Sequence, residues 1–148
     1  MKLGKNVTNL SACVGLLVSM LLAGCQTSIV RYSDYLLIDG HQIHYIVEGE
    51  GTPVLLMHGG YLDLRMWDQQ VPALVDNGYQ VIRFSDLGHG DSRSQGSSIQ
   101  GRLIIDTLLT SLGIPSVHLI GLSWGAMLAV DYVLYNPKKV TSMVLVSP

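Results

Sequence analysis

Cysteine is scarce in this chain of 148 residues, and its two copies, Cys13 and Cys25, both lie near the N-terminus. No thiol follows Cys25. The bulk of the chain is therefore expected to hold neither a disulfide nor a cysteine-ligated metal. Charge is thin as well: charged residues make up 14% of the chain and the net charge is −2. Without a basic cluster, this argues against nucleic acid as a partner. No internal repeat or low-complexity tract stands out. The length suffices for one domain with a real core. Histidine also runs out early, with none after His118.

What is present begins with a targeting pattern. Lys2 and Lys5 precede Leu10 to Ala23, which carries no charge and is apolar apart from Ser11 and Ser19. That run is shorter than a spanning helix needs. A basic start, a short apolar core and small residues afterwards describe a secretory signal. Leu22-Ala23-Gly24-Cys25 resembles the bacterial lipobox, in which the cysteine is lipidated on sulfur and becomes the new N-terminus. The resemblance implies a signal peptide over residues 1–24 and a lipid anchor at Cys25. With Gln26 following, it implies a place in the bacterial cell envelope, on the outer membrane facing the periplasm. The alternatives are an ordinary cleaved signal that ends in cysteine and an uncleaved anchor. Residues 25–33 then read as a tether.

From residue 34 the chain reads as a folded domain. Tyr35 to Ile38 and Gln42 to Glu48 form strands around Asp39-Gly40, a hairpin signal. Val54 to Met57 is a continuous apolar run, as in a strand buried on both faces of a parallel sheet. Pro72 cannot lie deep inside a helix, so a loose turn from Trp67 leads into a helix that starts there and stops at Asn77-Gly78. Tyr79 to Phe84 is the next strand, followed by a Gly- and Asp-rich loop from Ser85 to Gly96. Ser97 and Gln100 have capping-box spacing for a helix. Its Ile105, Leu108, Leu109 and Leu112 share one face, and Gly113 ends it. Val117 to Ile120, Trp124 to Tyr135 and Val140 to Val146 read as strand, helix and strand, with Asn136-Pro137 closing the helix. The alternation predicts an α/β fold with a mostly parallel sheet, an N-terminal antiparallel hairpin, and helices on both faces.

Three motifs close successive strands. His58-Gly59-Gly60 follows the first apolar run, Asp86-Leu87-Gly88-His89-Gly90-Asp91-Ser92 the next, and Gly121-Leu122-Ser123-Trp124-Gly125 the third. The last is G-x-S-x-G, the nucleophile elbow, which holds a serine hydroxyl above the sheet in a strained turn. Together the three resemble the α/β-hydrolase fold family over about residues 34 to 148, as its N-terminal part.

That resemblance implies Ser123 as the nucleophile. It implies the backbone N–H of Trp124 as one oxyanion donor and that of Gly60 as the second, with Tyr61 the less favoured choice. Such donors stabilise the charge that develops on a carbonyl oxygen. A serine here, where some relatives carry aspartate, argues against the dehalogenase and epoxide-hydrolase branches. The plain alternative for Ser123 is a turn serine capping the following helix. His58 and His89 read as loop-fixing, and His118, His41 and His44 as non-catalytic. Asp86 should hold its own loop through side-chain to backbone bonds. Trp67 reads as core packing, with pocket lining the alternative, and Asp131 as solvated.

A serine hydroxyl needs a base, and the base an orienting carboxylate. In this family both follow the serine, in the order acid then histidine. Trp124 to Pro148 contains Asp131 and no histidine. The triad acid and histidine are thus unassigned, and the C-terminal strands and lid of the family are not seen. Two readings follow. The first is a serine hydrolase acting on an ester, amide or related small-molecule carbonyl substrate, truncated and poorly active or inactive in this form. The second is a non-catalytic, lipid-anchored binding protein or a lipoprotein completed by a partner. Hydrolysis by a triad needs only water, so no cofactor or metal is expected.

Overall fold

The computed structural model describes residues 31–95 and 97–148. The expected signal peptide, Cys25 and the first part of the tether lie outside the described residues. Strands β1 (Arg31–Ile38) and β2 (His41–Glu48) form the expected hairpin. Asp39 and Gly40 at its tip both have positive φ, 48° and 81°, the primed turn that matches the twist of paired strands. Strands β3 (Thr52–Met57), β4 (Tyr79–Phe84), β5 (Val117–Leu122) and β6 (Val140–Val146) follow. Helices α1 (Val71–Asp76), α2 (Gly101–Ser111) and α3 (Trp124–Tyr135) connect them. The sheet order is β1-β2-β4-β3-β5-β6, antiparallel through the first three and parallel from β4 onward.

The strands of the parallel part are apolar on both faces because helices cover both. Leu55, Met57, Ile82, Phe84 and Leu119 face α2 and α3, packing on Ile104, Ile105, Leu108, Leu109 and Tyr132. The alternate residues Val54, Leu56 and Val81 face Trp67 and Val71, around α1. Successive side chains of a strand point to opposite faces, so one run of residues builds both cores. Trp67 is core, as expected, and ends a 3₁₀ turn over Leu64–Trp67. Pro72 sits in the first turn of α1, where a missing N–H costs nothing.

Two boundaries differ from the sequence reading. β1 starts at Arg31, inside the stretch read as tether, because pairing extends to Arg31 opposite Glu48. The two side chains form an ion pair at 3.2 Å, and Tyr32 meets the edge of Tyr45. The capping box at Ser97 and Gln100 is not formed. Gln100 itself is the N-cap of α2 and makes no side-chain bond. The Ser97 carbonyl instead faces Nε2 of His41 at 2.8 Å, which leaves Ser97 outside the helix.

A buried ion network ties the hairpin to the rest. Arg83 on β4 is 2% exposed and binds Glu48 of β2 at 2.9 Å, the carboxylate of Asp68 and the carbonyl of Leu64. A guanidinium this deep is tolerated because its N–H groups are taken up by oxygens. Among the described residues β6 pairs only with β5, and its Met143, Val144 and Val146 are exposed.

Candidate active site

Strand register brings the three motifs together. Met57, the last residue of β3, pairs with Phe84 at the end of β4 and with Gly121 near the end of β5. The chain therefore leaves all three strands at one edge, the C-terminal edge of the parallel sheet where α/β folds place their sites.

At the third strand end the turn is forced by close packing. A Cβ on Gly121 would sit 2.3 Å from the Gly125 carbonyl oxygen, and one on Gly125 would sit 2.3 Å from the Met57 carbonyl oxygen. No side chain fits either gap. Between them Ser123 takes φ 50° and ψ −112°, a conformation that only glycine adopts cheaply. Holding a non-glycine residue there costs of order 1–3 kcal/mol. The turn is locked from both sides. The Ser123 N–H donates to the Val146 carbonyl at 2.9 Å, and its own carbonyl accepts from Ala126 and Met127 at 2.9 and 3.1 Å. The side chain makes no capping bond to α3 and is exposed. The capping-serine alternative is therefore not realised.

The first strand end lies against this elbow. A Cβ on Gly60 would be 3.6 Å from the Trp124 Cβ, and one on Gly59 would meet Leu122 at 3.4 Å. Among the described residues neither the Gly60 nor the Trp124 N–H has a protein acceptor. Trp124 opens a helix, where the first amides have no intrahelical partner.

The second strand end braces the other two. The Asp86 N–H donates to Nε2 of His58 at 2.9 Å. That bond obliges the neutral ring to carry its hydrogen on Nδ1, which lies 2.7 Å from the Gly59 carbonyl. His58 is 3% exposed, and burial pushes its pKa below the ordinary imidazole value, against the pull of the Gly59 carbonyl. His89 spans the gap, with Nε2 at 2.7 Å from the Gly60 carbonyl and Nδ1 at 3.0 Å from that of Leu87. Asp86 binds the Leu87 N–H with Oδ1, as its loop-holding role requires, but Oδ2 accepts from the indole of Trp124 at 2.9 Å. That second bond was not foreseen. An acidic residue opening a Gly-rich loop gives no sign of a donor so far along the chain.

The remaining histidines are engaged elsewhere. His41 contacts Ser97 and Gln95, His44 contacts Ser33, and His118 contacts Ser142 at 2.7 Å. Among the described residues no imidazole lies within hydrogen-bond distance of the Ser123 hydroxyl. Asp131 is partly exposed and paired with Arg102 at 3.1 Å, rather than merely solvated. No group of three or more His, Cys, Asp or Glu is gathered as a metal site among the described residues. Beside the elbow an open groove is lined by Ile99, Trp124, Met127 and Leu128, with Arg102 and Asp131 at its polar side.

Comparison with known proteins agrees with this geometry. A family profile described as alpha/beta hydrolase fold matches residues 52–148. A proline iminopeptidase of Clostridioides difficile is 31% identical over 123 residues, 76% of this chain and 42% of that protein. A bifunctional epoxide hydrolase 2 of Rattus norvegicus is 28% identical over 80% of this chain and 22% of its own length. Among solved structures, epoxide hydrolase VrEH1 from Vigna radiata superposes with a TM-score of 0.74 at 28% identity, over 80% of this chain and 40% of that one. The chain thus spans less than half the length of these relatives.

Proposed function

The chain belongs to the α/β-hydrolase fold family, and from that premise we propose that it hydrolyses an ester, amide or related small-molecule carbonyl substrate, with Ser123 as nucleophile. The observation that carries the reading is the elbow itself: an exposed Ser123 on a strained turn beside two backbone amides that have no protein acceptor among the described residues. The triad base takes the proton of the Ser123 hydroxyl as its oxygen attacks the carbonyl carbon, and the electron pair of the C=O bond moves onto the carbonyl oxygen. The N–H groups of Gly60 and Trp124 receive that charge, and losing one such donor typically costs about 3 kcal/mol. Collapse of the tetrahedral species expels the leaving group with the proton held by the base. Water, giving a proton to the same base, then attacks the acyl carbon and frees the acid while the proton returns to the Ser123 oxygen. The relatives carry names for both epoxide and peptide chemistry. The serine at 123, in place of the aspartate of some relatives, supports the carbonyl reading.

The base and its carboxylate belong, in this proposal, to polypeptide other than these residues, because the imidazoles here are committed to other contacts. The same observation supports the second reading, a lipoprotein completed by a partner. Turnover of a short-chain p-nitrophenyl ester and fluorophosphonate labelling separate the two. The protein expressed from its complete gene is expected to do both, and Ser123→Ala to do neither. Labelling and turnover that persist in Ser123→Ala sink the assignment, and so does a native protein inert in both. Residues 1–148 alone are expected to turn over at least about 10³-fold more slowly than a complete triad.

Lipid attachment at Cys25 and a place on the outer membrane belong to the same proposal, supported by Lys2, Lys5 and the Leu22-Ala23-Gly24-Cys25 sequence. Radiolabelled palmitate is expected to enter the native protein and not Cys25→Ser; equal incorporation in both would remove the anchor.

A further inference from the structure

Gly59 and Gly60 present a difficulty for an oxyanion hole. Glycine is the residue least restrained by its own sterics, yet here it must hold an N–H in one direction. Side-chain packing does not help on the far side, since Tyr61 is fully exposed. The restraint comes from elsewhere. In a trans peptide the C=O and the following N–H point in opposite directions, and the described residues contain no cis bond. Pinning a carbonyl therefore aims the amide at the other end of the same plane.

The two carbonyls concerned are both pinned. The Gly59 carbonyl shares its plane with the Gly60 N–H and accepts from Nδ1 of His58 at 2.7 Å and from the Leu62 N–H at 3.0 Å. The Gly60 carbonyl shares its plane with the Tyr61 N–H. Among the described residues its partner is Nε2 of His89, at 2.7 Å. A carbonyl oxygen only accepts, so the contact is a hydrogen bond in the tautomer that carries its hydrogen on Nε2. In that tautomer Nδ1 carries no hydrogen and makes no bond to the Leu87 carbonyl 3.0 Å away, and the ring lies 5.0 Å from that of His58.

We propose that His89 is a positioning residue for the oxyanion site: by holding the Gly60 carbonyl it fixes the Gly60 backbone, and with it the direction of the Gly60 and Tyr61 N–H groups. This rests on the function proposed above for Ser123. His58 fixes the same glycine from the upstream side, so Gly60 is clamped at both of its peptide bonds. His89 contributes no contact with the reacting atoms.

The test compares His89→Ala with His89→Gln, whose side-chain amide can again donate to the Gly60 carbonyl. In the protein expressed from its complete gene, His89→Ala is expected to lower kcat for a p-nitrophenyl ester about 10- to 100-fold with KM within twofold. His89→Gln is expected to recover most of the loss. Amide ¹H–¹⁵N resonances of Gly60 and Tyr61 should shift in the alanine variant and return toward their native positions in the glutamine variant. Unmoved resonances, an unchanged kcat, or a loss that follows thermal stability and is not rescued by glutamine would overturn the proposal. If the native protein shows no Ser123-dependent turnover, the proposed reaction fails and the resonances alone decide the positioning role.

Discussion

The indole N–H of Trp124 donates to Oδ2 of Asp86 at 2.9 Å, across 38 residues of chain. One carboxylate thereby ties the nucleophile elbow to the loop after β4, while its other oxygen caps the Leu87 N–H at 2.8 Å. The residue proposed to supply one oxyanion amide is thus held by its own side chain.

Asp86→Ala removes both bonds. A net hydrogen bond is worth about 1 kcal/mol, and bonds to a charged group somewhat more. The variant is expected to lose about 2 kcal/mol in urea unfolding, and Trp124→Phe about 1 kcal/mol. An Asp86→Ala midpoint equal to the native one would show that the tie carries no energy.

Ser123→Gly separates strain from chemistry. Glycine relaxes a backbone at φ 50°, and the gain should outweigh the greater freedom of the unfolded chain, leaving the variant about 1 kcal/mol more stable. Fluorophosphonate labelling at this position should vanish. A destabilised Ser123→Gly would mean that the turn is not strained.

Gly125→Ala is expected to be far more damaging than its single methyl suggests. The new Cβ would lie 2.3 Å from the Met57 carbonyl oxygen, a backbone atom of the central strand that cannot step aside. Overpacking of this kind costs about 3 kcal/mol or more. Soluble yield and denaturant midpoint measure it, and a folded variant of native stability would contradict the packing described for α3 on β3.

Acid should weaken the fold in two stages. His58 has a folded pKa below its unfolded value, about 6.5, because burial disfavours its charged form. Above that pH both states are neutral and stability is flat. As pH falls below it the unfolded chain takes the proton first, so stability declines until the depressed folded value is reached. Asp63 acts lower down. Hydrogen bonds from Arg65 hold its carboxyl at about 2. It therefore favours folding above the ordinary carboxylate value, and that contribution is lost as pH falls through about 2. Urea midpoints between pH 4.5 and 7.5 should slope in the native protein and flatten in His58→Asn; parallel slopes would clear His58 of the effect.

Much of the fold was legible because its signals are local. Apolar runs set β3, β4 and β5, Pro72 and Gly113 set helix ends, and Asp39-Gly40 set the hairpin. Trp124 to Tyr135 is helical over the range its sequence suggests. The errors fell where a local signal had a distant competitor. Ser97 has capping spacing, but its carbonyl is taken by His41 on β2. Arg31 has no strand signal of its own and is drawn into β1 by Glu48 across the hairpin.

The candidate site divides along the same line. Spacing along the chain marked Gly121-Leu122-Ser123-Trp124-Gly125 as a sharp strand-to-helix turn with small residues on either side of its serine, while the roles proposed for Ser123, Gly60 and Trp124 come from the family resemblance. What each histidine does was decided only by folding. His58 and His89 are alike in sequence, each beside a glycine at a strand end. One becomes a buried neutral ring fixed by the Asp86 amide, and the other lies between the carbonyls of Gly60 and Leu87 with one N–H to give. Those partners arrive through the register that ends β3, β4 and β5 level with one another, a long-range relation that no local stretch of chain encodes.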